Sequence, residues 1–496
     1  MNKYIIKALF CAVLTAPVFS SCELDQNPAT SIPSEESWQT MSDAENHYVG
    51  MLSVIRSVSS ACAQTMEVQT DLFNQINSST AYNQIHDWSF TPTQFDGDAL
   101  WSGNYNLIAT ANDFINNVGA ISVEAGSASE KTLKHYTGVA YFARAYAYST
   151  LAMRYCKNYD EATAESTLGL PLVTVVDVNA KPSRSSLAAT YQLIREDITK
   201  AKELLADESE LVKLDYTAPH YYTALALEAR VCLNMKDYDQ AINSAKEVME
   251  HYSLFTKKND FQTMWTSDMA NEGTELIFEP QYTQDERASL WGAFISHSYS
   301  ISAFTSNYVP TQALYDMYTR SDFRQSVYFT RTTLNSGAVT TTGRYLSKFP
   351  GNTALNKSTD QYSYYNMPKP FRTAELYLIA AEASCEKDGT GASYLSTLRQ
   401  ARGLSATSAT GEDLLKEIKD EWVREFVGEG FRLDCLKRWH DGFTRGEAQS
   451  FPAGFLRTSN GVQGLTVDAD NYRFIWEIPS NDLQANKNLQ RNWPNE

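Results

Sequence analysis

The chain has 496 residues, 43% of them hydrophobic and 20% charged, with 42 Lys and Arg against 59 Asp and Glu for a net charge of −17. That apolar fraction supports a large core and excludes a disordered or collagen-like polymer. So acidic a surface adds to the field of a nucleic-acid backbone or an anionic lipid instead of cancelling it, and no basic stripe offsets the balance, so nucleic-acid binding is not expected.

Residues 1–7 carry Lys3 and Lys7, and the apolar run Ala8 to Phe19 that follows is too short to span a bilayer. Ser20 and Ser21 then precede Cys22. This arrangement resembles the lipobox of bacterial lipoproteins, which implies a signal peptide over 1–21 and acylation of Cys22. Two or more acyl chains anchor a protein stably on a membrane that it does not cross. Loss of Lys3 and Lys7 with the leader lowers the net charge from −17 to −19. Residues 22–37, rich in Pro, Ser and acids, read as a flexible tether. Glu23 and Asp25 look like the acidic export signal of Bacteroidetes surface lipoproteins, so the expected location is the outer membrane, facing the cell exterior.

Helices are expected over 42–58, 99–118 and 130–157. In 187–205 the positions Leu187, Tyr191, Ile194, Ile198, Ala201 and Leu205 step by 4, 3, 4, 3, 4, which puts one apolar stripe on one helix face. Ser185 and Ser186 are its candidate caps. Pro219 opens a helix to about Met235, and Asp237 leads into another that ends near His251. The pair Ala229 to Ala241, turning at Lys236-Asp237, looks like a tetratricopeptide hairpin, and Ala380 to Ala392 repeats its spacing around Lys387-Asp388-Gly389. Short strands are expected at Leu172–Val176, Glu275–Glu279, Tyr345–Phe349 and Phe474–Ile478.

The fold class is therefore mainly α: irregular hairpins stacked into a right-handed scaffold, with long loops and a few short strands building a ligand face. At about 150 residues per domain the length allows three domains. The division expected here is an N-terminal part (38–255) and a C-terminal part (256–496) packed as one body. Residues 62–98 and 256–370 are rich in Ser, Thr, Asn, Gly and aromatics, and long loops in a compact chain are usually functional. The five cysteines of the mature body beyond Cys22, namely Cys62, Cys156, Cys232, Cys385 and Cys435, are odd in number and widely spaced, which reads as core thiols and not a disulfide framework.

Catalytic signatures are missing. There is no Gly-x-Ser-x-Gly elbow, His-Glu-x-x-His, Walker loop or Cys-x-x-Cys, and the seven His show no ligand spacing. Asp96-Gly97-Asp98 and Asp468-Ala469-Asp470 read as solvated turns, since neither has the rest of a calcium loop. Glu425, Glu429, Arg432, Asp434 and Arg438 alternate in sign and read as an ion-pair network that locks a corner, with an anion site at Arg432 and Arg438 as the functional alternative. No enzyme activity, metal or other cofactor is expected.

The ordered series from Cys22-Glu23-Leu24-Asp25 through Leu100-Trp101 to Ile108, Ala143-Arg144-Ala145-Tyr146, Leu170-Pro171-Leu172-Val173, Ser183-Arg184-Ser185, Ala374 to Ala383, Arg399 to Gly403, Glu429-Gly430-Phe431-Arg432 and Ile478-Pro479 resembles the SusD/RagB family. The C-terminal Trp476-Glu477-Ile478-Pro479 and Asn492-Trp493-Pro494 look more like its RagB branch. The resemblance implies a non-enzymatic lipoprotein that captures oligosaccharide, or oligopeptide as in some RagB-like members, and delivers it to a SusC/RagA-like TonB-dependent transporter. Sugar rings stack on aromatics, and their hydroxyls need polar partners. The candidate platforms outside the helical stripes are Trp88, Trp291, Tyr299, Phe304 and Tyr308, with Asp71 and Asn74 as polar partners. Trp265 reads as core.

Overall fold

The computed structural model describes residues 37–59, 63–91, 98–177, 179–206, 216–268, 275–287, 296–298, 303–358, 364–458 and 464–494. The leader, Cys22 and the tether up to residue 36 lie outside the described residues, as do Cys62, Asp96, Gly97, Trp291 and Tyr299.

The N-terminal part runs α1 (Met41–Ser59), α2 (Ala63–Val68), β1 (Phe73–Gln75), α3 (Asn83–His86), α4 (Asp98–Asn117), α5 (Ala128–Tyr155), α6 (Leu187–Leu205), α7 (Tyr221–Met235) and α8 (Tyr238–Met249). The apolar stripe expected for 187–205 is the buried face of α6, and Ser186 caps that helix by accepting the Ala189 amide. α5 packs between α4 and α6. At Gly138 the two helices come so close that an added Cβ would lie 2.8 Å from Leu205. Arg144 of α5 crosses this interface with a two-pronged pair to Asp197 (2.8 and 2.7 Å) and a bond to Asn112 of α4 (2.7 Å).

The C-terminal part follows with α9 (Lys258–Thr266), β2 (Leu276–Phe278), β3 (Ser296–Ser298), β4 (Ala303–Thr305), β5 (Tyr308–Pro310), α10 (Gln312–Asp316), α11 (Arg324–Tyr328), β6 (Phe329–Ser336), β7 (Val339–Leu346), β8 (Phe371–Arg372), α12 (Thr373–Asp388), α13 (Ala392–Ala401), α14 (Gly411–Phe426), α15 (Phe431–Trp439), β9 (Phe443–Thr444), β10 (Thr466–Val467) and α16 (Ser480–Ala485). Both expected hairpins form. α7 and α8 turn at Lys236, whose φ of 62° is left-handed, and Asp237 caps α8 through the Gln240 amide. α12 ends at Gly389, φ 76°, before α13 returns. α8 also packs on α12, so the two hairpins are stacked on each other.

Four strand expectations fare differently. β2 lies within Glu275–Glu279 and pairs antiparallel with β8. Tyr345–Phe349 meets only the end of β7, because the ladder with β6 runs from Val339 to Leu346 and stops there. Leu172–Val176 is not a strand. Its carbonyls are taken by side chains of the neighbouring helices: Val173 accepts from Asn112 and Tyr148, and Thr174 from Asn116. Phe474–Ile478 is likewise outside any ladder, since it leaves a 3₁₀ turn (Tyr472–Phe474) and the Trp476 amide bonds the Arg154 carbonyl of α5.

One cluster of buried apolar residues reaches from Trp38 to Trp493. Trp265 is core, at 1% exposure. Cys156, Cys232, Cys385 and Cys435 are buried free thiols, and burial pushes Cys232 up to about 12 and Cys435 to about 11. No helix of the described residues is long and apolar enough to cross a membrane.

Candidate ligand-binding face

The irregular segments meet at one place. β1 pairs antiparallel with β5, and the Ile76 amide bonds the Asn307 carbonyl. Asn77 bonds Phe455, and the Arg457 amide returns to Gln75, which ties segment 451–458 to the same loop. The tip of the β6–β7 hairpin joins them: the Ser78 amide donates to Ser336 Oγ at 3.2 Å. Four stretches distant in sequence thus share one surface, three of them tied by backbone bonds and the hairpin tip by the Ser336 hydroxyl. Asn77, Ser78, Thr80, Gly337 and Gly454 are exposed on it, with Tyr82, Phe304, Phe451 and Arg457 half-buried.

Behind this surface Gln75, Arg457 and Asp87 are bonded to one another or to the loop backbone. Gln75 is buried and its amide donates to Ser79, Ala81 and Asn83. Arg457 forks onto Asp87 (3.0 and 2.6 Å) and also reaches Gln75 Oε1 at 2.7 Å. His86 is sealed below, with Nδ1 2.8 Å from the Val68 carbonyl. Burial first, then the nearby Arg445, holds its pKa well below the ordinary imidazole value, so it stays neutral. Tyr82 begins α3 with φ 57°, a left-handed conformation that turns the loop sharply.

The expected site residues do not share one role. Trp88, at 5% exposure, is a core residue: its indole N–H donates to the Gln69 carbonyl at 2.6 Å, and Phe474 and Phe443 pack on it at 4.8 and 5.7 Å. A ring enclosed in this way offers no face to a sugar. Tyr308, at 1% exposure, is also core, with its hydroxyl donating to the Ala81 carbonyl from beneath the loop. Asn74, at 1% exposure, is inside the β1–β5 pair with neither side-chain polar atom bonded. Asp71 is held by a two-pronged bond from Arg432, both arms 2.9 Å. Only Phe304 among the described candidates lies on the converged surface, half-buried and stacked on Tyr345 at 5.2 Å.

The charged corner is structural, as its alternating signs suggested, and larger than the sequence showed. The Glu425 carboxylate takes bonds from Arg324 (2.8 Å), Arg372 (2.9 Å) and Arg402 (3.0 Å). Glu275 shares Arg372 and Arg402, and Glu429 accepts from Lys348 and Arg372. Burial alone would raise Glu425; the three guanidinium groups overcome it and hold the acid well below the usual carboxylate range. Burial also brings Lys348 down to about 8 despite Glu429. Arg432 is committed to Asp71 and Arg438 to Glu382 (2.8 and 2.9 Å), which leaves no anion site there. Glu67 of α2 closes the corner by accepting the Gly430 amide at 2.7 Å, and burial pushes it up to about 7.

Sequence reasoning missed Tyr82, Arg457 and the β6–β7 hairpin. The hairpin had a signal, since β-branched Thr runs flank Ser336-Gly337-Ala338. Arg457 had none, because its partners Asp87 and Gln75 are more than 360 residues away. Among the described residues no cluster of three or more His, Cys, Asp or Glu could hold a metal ion.

These features define a scaffold of stacked helical hairpins that carries a surface built from irregular segments. The family model described as "SusD family" matches residues 262–495, and the one described as "Starch-binding associating with outer membrane" matches 24–233. The chain is 24% identical to SusD-like protein P2 of Formosa agariphila over the full length of both. It is 30% identical to the starch-binding protein SusD of Bacteroides thetaiotaomicron over 25% of this chain and 20% of that one. A solved SusD superfamily structure from Bacteroides vulgatus superposes with a TM-score of 0.74 at 22% identity, covering 92% of this chain and all of the other. The chain belongs to the SusD/RagB family.

Proposed function

We propose that the protein is a lipid-anchored receptor on the outer surface of the outer membrane. It captures an oligosaccharide on the converged loop face and passes it to a partner TonB-dependent transporter of the SusC/RagA type. The observation that carries the reading is the meeting of segments 76–84, 303–308, 336–339 and 451–458, which hold half-buried rings at Tyr82 and Phe304 and exposed Asn77 and Ser78. Aromatic faces stack on sugar C–H surfaces while polar side chains replace the water lost by sugar hydroxyls. The match to a family described as starch-binding and associating with the outer membrane, and the likeness to the B. thetaiotaomicron starch-binding protein, support a glycan as ligand.

An oligopeptide is the second reading, favoured by the net charge, −19 once Lys3 and Lys7 leave with the leader, which would attract basic peptides. The RagB-like C-terminal residues do not bear on it. Glu477 accepts the Asn492 and Trp493 amides at 2.8 and 3.0 Å, and Trp476 and Trp493 are buried, so these residues clasp the C-terminus to the body.

The test is calorimetry of the mature protein against glycan and peptide mixtures, with Phe304→Ala alongside. Glycan binding weakened by Phe304→Ala supports the reading; peptide binding with no glycan binding overturns it. Mass spectrometry of the mature N-terminus should find diacylglycerol on Cys22, and an unmodified thiol would remove the anchor. Purification from membranes should carry a TonB-dependent transporter along.

A further inference from the structure

From Phe323 to Thr359 the chain holds five bases and no acid, in a protein with 59 Asp and Glu. Three of the five are neutralised from elsewhere: Arg324 by Asp322, Lys348 by Glu429 and Lys357 by Asp285. Arg331 and Arg344 are not paired with any carboxylate among the described residues, and they are direct partners in the β6–β7 register. Like charges opposite each other weaken an antiparallel pair. An anion between them reverses that cost.

The surroundings suit such a ligand. Residues two apart on a strand share a face, so Arg331, Thr333 and Asn335 line up with Arg344, Thr342 and Thr340. Arg331, Thr333, Thr340 and Thr342 are exposed. The Arg344 guanidinium lies 3.9 Å from the centre of the Tyr315 ring, a cation–π contact that helps hold it in place. Asp316, beside that tyrosine, accepts from Gln312 at 2.7 Å and not from Arg344. Along the same hairpin the tip meets Ser78 of the loop face.

We propose that this open hairpin face binds the oxyanion of an acidic saccharide, a uronate carboxylate or a sulfate ester, with Arg331 and Arg344 as a pair of forks. The inference rests on the reading of the protein as a saccharide receptor and narrows the class of saccharide. Guanidinium groups match the two oxygens of such anions, and the Thr rungs offer hydroxyls to the sugar. The overall negative charge does not forbid it, because at physiological salt its field is screened beyond about 8 Å and the two arginines dominate within that distance.

Affinity electrophoresis of the mature protein through gels holding starch, polygalacturonate or carrageenan tests this, with the R331Q/R344Q and K200Q/K416Q double variants run beside it. At least one acidic gel should retard the wild type, and R331Q/R344Q or raised salt should weaken that retardation about tenfold, as loss of charge-assisted bonds requires. K200Q/K416Q, which removes two bases paired elsewhere, should run as the wild type does. Polygalacturonate separates a carboxylate ligand from the sulfate of carrageenan. Equal retardation of R331Q/R344Q and wild type in the acidic gels overturns the proposal, and so does retardation by starch alone, which leaves the saccharide reading standing. No retardation in any gel, with binding to peptides, removes both.

Discussion

The corner around Glu425 and the loop face around Ser78 are both rich in polar groups, yet they use them in opposite ways. At the corner, Arg324, Arg372, Arg402 and Lys348 are fully buried and each finds carboxylates of the same chain, so every charge is spent internally. At the loop face the saturated groups, Gln75, Asp87 and Tyr308, form a floor, and the side chains above them turn to solvent. A dense cluster of charge is therefore a poor guide to a binding site here. The proposed site rests instead on exposed polar side chains above a largely bonded floor.

The sharpest break of that comparison comes from Glu425→Ala, which takes one carboxylate away from three buried guanidinium groups at once. It should cost about 3–5 kcal/mol in urea denaturation, and a loss below about 1 kcal/mol would mean that the corner is not a structural lock. Trp88→Ala should cost about 3 kcal/mol as an enclosed ring is lost, lowering the melting temperature. If it removes ligand binding with an unchanged melting temperature, the ring is a platform after all.

Glu67 links the corner to pH. The unfolded chain releases this proton near 4.5 and the folded chain only near 7. The folded form thus holds the extra proton in between, and its stability falls as pH rises through that window. Glu67→Gln should remove the fall, gaining up to about 3 kcal/mol over the wild type between pH 5 and pH 8. Parallel stability curves for the two proteins would contradict the burial argument. The smallest effect belongs to the loop face: Tyr82→Ala should weaken oligosaccharide binding by about tenfold, the scale of one stacked ring, with little change in melting temperature. A matching loss of stability would place Tyr82 with the floor.

The scaffold was legible because helices announce themselves locally. The 4-3-4-3-4 spacing in 187–205 and the turns at Lys236 and Gly389 lie within a few residues of what they determine. The loop face was only half legible. Three of its four segments fall in the stretches 62–98 and 256–370 that composition singled out, but 451–458 does not, and which rings are buried depends on partners far along the chain. Trp88 is covered by Phe443 and Phe474, and Tyr308 by the loop at Ala81, so no local pattern distinguished them from Phe304. The Leu172–Val176 segment shows the same limit: side chains of α4 and α5 took carbonyl bonds that a strand would have needed.

Amide hydrogen exchange on the mature protein with and without a saturating oligosaccharide tests the central claim most directly. Slowed exchange should appear in 76–84, 303–308, 336–339 and 451–458, with the α7–α8 and α12–α13 hairpins unchanged. Protection confined to those hairpins, with the four loop segments unaffected, would contradict the account.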